Sequence, residues 1–457
     1  MGGIFGALQI GLRNLSNAQA GIFVVNENVA NVNVEGYSRR RVIYQPGPYE
    51  QRPYGLIGSG AEIQRIESVR DVFLEARLLL EHQATGFFAG QEYGVTQLEP
   101  IMNISSGQGV SDEMSKFFDA FLELASDPSS LSLRQVALAQ ADALASRIRT
   151  TASQLGAVEE NLRMRTQDLV NDVNGLLHRI AAINTKLQPM LSLGQDGGPL
   201  YDERQKLLNE LARKIDIQVQ TDQSGNMVLT TGSGRLLLMG DEANELSFEA
   251  TASDVIISLQ GEDITSEIQK GELGGLLAFQ TGTLSSVRNS LNTLTKELAD
   301  AVNAVHQAGV DLDGEPGGVF FSTVAGQEAR TISVAVMNFR DIAAAEPGAG
   351  IGNGSNAQAI ADLRDKEISE LGGQTLTEYF SQIVFEVGLA GQTVRSSLDL
   401  QTQMLRQLEN QRESVSGVSL DEEAITLIQL QRSYEASARL IRVLDTLLEE
   451  TINLVRS

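Results

Sequence analysis

Cysteine and tryptophan are both absent from the 457 residues, while proline (nine), histidine (three) and aromatic side chains (5%) are scarce. Without cysteine there is no disulfide, no thiol nucleophile and no thiolate metal site. His82, His178 and His306 lie far apart and none stands at ligand spacing from another, which argues against a metal centre or a catalytic triad. Basic charge is also short. Thirty-five Lys and Arg face 59 Asp and Glu for a net charge of −24, so the basic footprint that nucleic acid or an anionic membrane surface requires is missing. No apolar run approaches the roughly 18 residues of a membrane span. The first residues lack a basic start followed by a compact apolar core, so any export is expected to use a route without a cleaved signal.

The length predicts two or three domains rather than one core. Charge is unevenly placed along it. Met1 to Ile66 holds six basic residues against four acidic, Ser416 to Ser457 holds four against seven, and the stretch between therefore carries −23. The middle reads as an acidic, self-repelling body, whereas the nearly neutral ends can approach copies of themselves.

What the chain has in quantity is seven-residue apolar periodicity, most tellingly at its two ends. Ile4, Leu8, Gly11, Leu15, Ala18, Ile22, Val25, Val29 and Val32 follow at spacings of four and three. Near the other end Leu420, Leu427, Tyr434, Ile441, Leu448 and Val455 fall every seventh residue, with Ala424, Ala438 and Ile452 as intermediate members. Each stripe predicts a helix with one narrow apolar seam that needs another helix to cover it. Further stripes run inside the chain: Ile148, Leu155, Leu162, Leu169, Leu176, Ile183 and Met190; Leu284, Leu291, Leu298 and Val305; and a looser set at Val387, Val394 and Leu408. The inner stripes fit a helical bundle. Terminal segments fray unless something docks them, so seams at both extremes predict pairing with each other and with neighbouring subunits.

Between the stripes, asparagines at 28 to 33 and Gly36 end the first helix, and a loop or extended region follows around Pro46, Pro48 and Pro53. Helices are predicted near 68–84, 111–125 and 133–187. Alternation at Ile215, Ile217 and Val219, a turn at Ser224, Gly225 and Asn226, and apolar runs at Met227 to Thr231 and Val255 to Leu259 make 215–280 a small β-rich insert. Residues 309–354 read as glycine-rich surface loops with a short strand at Thr331 to Val336. The fold class is mainly α with a small β-rich insert. Three parts are expected: 1–66 with 416–457 as a terminal coiled-coil polymerisation domain, 67–214 with 281–415 as a helical bundle, and 215–280 as a small outer domain.

The segment Ala30-Asn31-Val32-Asn33-Val34-Glu35-Gly36-Tyr37-Ser38-Arg39 resembles the signature of bacterial flagellar rod, hook and hook-associated axial proteins. The run Ser416-Gly417-Val418-Ser419-Leu420-Asp421-Glu422-Glu423, with Gln431 to Ala438 behind it, is similar to the closing motif of that superfamily. Phe117 to Phe121, Leu124 to Pro128 and Leu200 to Leu211 resemble segments of the hook–filament junction proteins, the hook-associated protein 1 family, and the helical middle favours these over hook proteins. Larger relatives insert an outer domain near 309–354, where this chain has room for little more than loops. The resemblance implies an extracellular place in the flagellum, type III export, a homo-oligomer, contact with hook protein below and a second junction protein above, and an export chaperone on the C-terminal helix. A hook or distal rod protein, or a secreted coiled-coil effector or enzyme, are the alternative readings.

No cofactor, metal or catalytic residue is expected. Ser419 and Glu422 fit a capping box, with Asp421 and Glu423 adding favourable charge at a helix start. Arg39, Arg40 and Arg41 form either a solvated face or a contact to an acidic neighbour. Asp311, Asp313 and Gly314 read as a turn rather than a calcium loop. The residues expected at subunit contacts are Ile4, Leu8, Leu15, Ile22, Val25 and Val29 of the first helix, Asn31, Gly36 and Tyr37 of the signature, and Leu420, Leu427, Tyr434, Ile441, Leu448 and Val455 of the last helix.

Overall fold

The computed structural model describes residues 2–52, 55–102, 109–193, 195–221, 226–251 and 254–456, with side chains at all of these except 2, 3, 50, 52 and 453–456. Ser224 and Gly225 of the expected turn, and the side chain of Val455, lie outside the described residues. The chain is mainly helical and elongated. Its helices are α1 (Gly2–Ala30), α2 (Val72–Met102), α3 (Val110–Ser126), α4 (Leu131–Ser192), α5 (Pro199–Lys214), α6 (Gly271–Phe279), α7 (Ser285–Ala308), α8 (Glu328–Thr331), α9 (Ser355–Asp362), α10 (Leu376–Ser416) and α11 (Leu420–Arg456). At 1.5 Å per residue, the 62 residues of α4 span about 90 Å and set the length of the body.

The body is a bundle built on α2, α4, α7 and α10. The stripe Ile148, Leu155, Leu162, Leu169, Leu176 and Ile183 is buried along α4, and only Met190, near its end, is exposed. Helix α10 starts with a complete capping box between Thr375 and Glu378 and runs antiparallel to α2, Leu408 meeting Leu74 and Leu78 and Arg395 pairing with Glu99 at 2.6 Å. Helix α2 reaches Met102, well past the expected end at 84, because its glycines admit close neighbours: Gly86 lies against the Arg213 backbone of α5, Gly90 against the Glu272 backbone of α6, and Gly94 against the Phe279 ring. Glycine weakens a free helix, yet here it removes the atoms that would hold two helices apart.

Two small antiparallel sheets flank α4. One is β5 (Ile217–Thr221), β6 (Met227–Thr231), β7 (Leu236–Met239) and β8 (Glu242–Ala243) in sequential order; the other has β10 (Val255–Leu259) between β9 (Leu246–Ala250) and β11 (Glu262–Asp263). Asn174 of α4 exchanges two 2.8 Å hydrogen bonds with the Leu246 backbone, and Gln83 of α2 donates to the Ile217 carbonyl at 2.8 Å. The β-rich stretch ends at Asp263, short of the expected 280, since Leu273, Leu276, Leu277 and Phe279 belong to a buried helix. Asp216 is buried beside these strands with its Oδ1 unpartnered. Burial pushes its carboxyl up to about 6, although backbone N–H groups of Gln269 and Gly232 oppose the shift. A carboxyl raised on folding favours the native state fully below about pH 4 and loses that contribution as pH rises through about 6. Asp216→Asn is therefore expected to remove a fall in stability of about 3 kcal/mol between pH 4 and 7, read by urea unfolding across that range.

Residues 309–354 are more firmly held than surface loops. His306 is buried at the end of α7, with Nδ1 against the Gly318 carbonyl at 2.8 Å and Nε2 accepting from the Ala343 amide at 2.9 Å, and burial pushes its imidazole below the usual histidine range. Phe320 and Phe321 stack with Phe117 and Phe121 of α3. Arg134, fully buried, donates to the carbonyls of Ile342 (2.6 Å) and Pro128 (2.7 Å). The strand expected at 331–336 shrinks to Ser333–Val334, because Thr331 closes α8. Asp311 makes the expected turn, its Oδ1 accepting from the amides of Asp313 and Glu315.

Candidate assembly interface

Helices α1 and α11 lie antiparallel, with Gly11 opposite Ile441, Gly21 opposite Leu430, and Asn28 opposite Glu423. Ala18 and Val25 are buried, and Ile4, Leu8, Leu15 and Ile22 are half-buried. On α11 Leu427, Tyr434, Ile441 and Leu448 are half-buried as one member of the heptad. The other member differs from expectation. It is not Ala424, Ala438 and Ile452 but Glu423, Leu430, Ser437, Leu444 and Thr451, four residues ahead of each next seam position and three past the last, rather than four past the last. Ala424 and Ile452 face outward, and Ala438 is half-buried beside the seam. Leu420 (52% exposed) and Val29 (41%) also stay outside the pair, since the inward places at that end are held by Asn28 and Glu423.

The other face of α1 is backed by β1 (Arg40–Pro46) and β4 (Ala61–Ser68), an antiparallel hairpin whose tip is β2 (Tyr49–Arg52) paired with β3 (Gly55–Gly58). The region expected to be loop or extended chain is therefore sheet. Arg13 donates to Ser59 Oγ at 2.7 Å and pairs with Glu62, while Asn17 donates to the Ala61 carbonyl at 2.9 Å.

The signature residues form the corner between helix pair and body. Asn28 Nδ2 donates to the Arg40 carbonyl (2.9 Å) and to Glu423 Oε1 (3.1 Å), and its Oδ1 accepts from the Tyr37 hydroxyl (3.0 Å) and the Arg40 amide (3.0 Å). Every hydrogen-bonding position of the amide is thus filled. Burial, with Glu27 nearby, pushes the Tyr37 hydroxyl up to about 12, and burial also raises the Glu423 carboxyl. Gly36 turns the chain at a φ of +83°, a region that only glycine enters cheaply. Its carbonyl accepts from Arg412 of α10 at 2.5 Å; the Ser38 amide donates to Asp202 of α5 at 3.1 Å, and the Arg39 amide to the Ser416 carbonyl at 2.7 Å. Asn31, half-buried, caps its own helix by donating to the Glu27 carbonyl at 2.9 Å. Tyr37→Phe is expected to cost about 1 kcal/mol by leaving one lone pair of Asn28 unpaired, measured as a shift of the urea midpoint at constant slope.

The arginines and the start of α11 differ from expectation. Each of Arg39, Arg40 and Arg41 pairs within the chain, with Glu422, Glu27 and Glu67 respectively. At the start of α11 only half the capping box forms, the Glu422 amide reaching Ser419 Oγ at 3.5 Å while the Glu422 carboxylate goes to Arg39. Glu423, expected merely to charge the helix start, is buried. Its placement was available in the sequence as the head of the 423, 430, 437, 444, 451 series, but polar residues at alternate positions hide that series from an apolar count.

With the inner seam filled, the pair still presents large apolar side chains outward. Phe5, Leu12 and Phe23 are exposed on α1, and Ile425, Ile428, Leu440, Val443 and Leu447 make a second stripe on α11. Among the described residues there is no group of His, Cys, Asp and Glu arranged to hold a metal ion and no helix long and apolar enough to cross a membrane.

Residues 95–321 match the family model of the flagellar hook-associated protein FlgK helical domain, and residues 409–454 match that of the flagellar basal body rod FlgEFG protein C-terminal region. Flagellar hook-associated protein 1 of Bacillus subtilis is 27% identical over 498 residues, covering 98% of each chain. The protein of the same name from Salmonella typhimurium is 25% identical over 549 residues, covering 97% of this chain and 98% of that one. The solved structure of the flagellar hook junction protein FlgK from Burkholderia pseudomallei shares the fold with a TM-score of 0.68, at 17% identity over 75% of this chain and 100% of that one.

Proposed function

We infer that this chain, which belongs to the flagellar hook-associated protein 1 family, is a structural component of the bacterial flagellum at the junction of hook and filament, and that it polymerises through α1 and α11. The observation that carries the polymerisation is the second apolar stripe of Ile425, Ile428, Leu440, Val443 and Leu447 on a helix whose first seam is already covered. Large apolar side chains left exposed on a helix whose own seam is filled mark an interaction site. Copies of the same chain fit it, since the terminal regions carry little net charge while the body repels its own kind. The division of labour follows: residues 1–66 with 416–457 assemble, 67–214 with 264–415 form the rigid body, and the small sheets of 217–263 face outward. Hook protein lies below, a second junction protein above, and before export a chaperone covers α11, the more apolar-faced of the two ends.

In the unassembled chain the ends are mobile, because one narrow seam returns less than the ordering of so long a helix costs, and this delays polymerisation until export. Slow amide exchange throughout 4–32 and 420–455 of the monomer would refute that delay. The junction assignment is tested by electron microscopy of purified hooks mixed with the protein. Added density at one end of each hook is expected; hooks left bare, or coated along their sides, would overturn it.

A further inference from the structure

We propose that Asn28 and Glu423 are the specificity-determining residues that set the register of the terminal helix pair, a role that rests on the pairing of α1 with α11 described above. The apolar seam alone discriminates poorly. Sliding α11 by one heptad, about 10.5 Å, exchanges Leu427, Tyr434, Ile441 and Leu448 for one another, so one large apolar residue replaces another against α1. The 423, 430, 437, 444, 451 series behaves differently, because it alternates Glu, Leu, Ser, Leu, Thr. A one-heptad slide in one direction brings Leu430 to Asn28, where it can accept no hydrogen bond, and carries Glu423 past the end of α1; a slide in the other direction moves Glu423 opposite Gly21, into the apolar part of the seam.

Asn28 and Glu423 are 1% and 5% exposed, so neither finds water when displaced. The amide of Asn28 has all four of its hydrogen-bonding positions occupied in the observed register, two of them by the backbone of Arg40 and one by Tyr37. The corner fixes the amide; the amide then chooses Glu423. A buried polar residue at a single seam position selects register in other helix pairs at a cost in stability, and the raised carboxyl of Glu423 is the sign of that cost here. The neighbouring Arg39–Glu422 pair is solvent-exposed on the Glu422 side and adds little discrimination.

Because the chain has no cysteine, paired cysteines report register without background. A Cβ at Gly11 lies 3.1 Å from Ile441 Cγ1, so G11C with I441C reads the observed register, and G11C with Y434C or L448C reads slides of one heptad. Disulfide formation traps even a transient pair. In the full chain the 11–441 cross-link is expected to form about tenfold or more faster than either slipped one, the discrimination that one unpartnered buried amide supplies. With Asn28→Leu and Glu423→Leu together, the slipped cross-links should approach the rate of the 11–441 pair. Glu423→Gln keeps a carbonyl acceptor for Asn28 and should preserve the parent pattern. Slipped cross-links that stay slow in the double-leucine chain while 11–441 still forms would overturn the proposal. Loss of all three cross-links there, with Glu423→Gln unaffected, would overturn it too, showing that the residues hold the pair together without choosing its register. Failure of 11–441 in the parent would instead refute the helix pairing itself.

Discussion

Chains ending at residue 419 should keep a folded helical body and lose every ability to join hook to filament. The main buried cluster runs from Leu79 to Val394 and draws no residue from α1 or α11, so its packing does not depend on the removed segment. The polar bonds that the truncation breaks lie at the corner, where the absence of Glu423 leaves Asn28 Nδ2 one acceptor short and Arg39 is deprived of Glu422. The thermal transition of the body should therefore move little. Assembly should vanish outright, since both the inner seam and the outer stripe of Ile425, Ile428, Leu440, Val443 and Leu447 leave together. Circular dichroism and electron microscopy with hooks check both halves. A truncated chain that still caps hooks would exclude polymerisation through α11, and one that unfolds would mean the body is not self-sufficient. A secreted enzyme or effector, by contrast, would keep its activity after this truncation.

The second large effect is expected where α2 crosses α5 and α6. A methyl group on Gly275 would sit 1.9 Å from the Phe87 carbonyl oxygen, one on Gly86 1.9 Å from that of Arg213, and one on Gly90 2.3 Å from that of Glu272. In each case the obstacle is backbone, which cannot swing aside as a side-chain tip can. Gly275→Ala should thus cost about 3 kcal/mol or more, the upper range for overpacking, despite alanine's better helix propensity. Gly156 of α4 provides the opposite sign within the same molecule. Nothing lies within 4 Å of its added Cβ, so Gly156→Ala should stabilise by about 0.5 to 1 kcal/mol. Urea denaturation of both variants distinguishes the two signs, and equal shifts would refute the close-crossing explanation.

The α4 stripe and the strands at 227–231 and 255–259 show how unevenly the sequence disclosed the structure. A long heptad repeat survives in the fold because the same face meets the core at every turn, so Ile148 to Ile183 are buried as their spacing implies. The extension of α2 to Met102 was not legible, because glycines at 86, 90 and 94 look like helix breakers until the partner α6 is in place. Residues 309–354 looked like loops for a related reason. Their anchors, His306, Arg134 and the Phe117 and Phe121 rings, come from distant elements and bear no local mark.

At the interface the sequence by itself determined that both ends are amphipathic helices, which residues make one member of each seam, and to which family the chain belongs. These follow from local periodicity and from short motifs, both carried by neighbours along the chain. Only the tertiary structure decided that the ends pair antiparallel, that Glu423 is buried against Asn28, and that the three arginines of the signature find their acids within the same chain. Periodicity records which face of a helix avoids water. It holds no information on which helix covers that face or how far along it slides, because those depend on contacts between residues nearly four hundred positions apart.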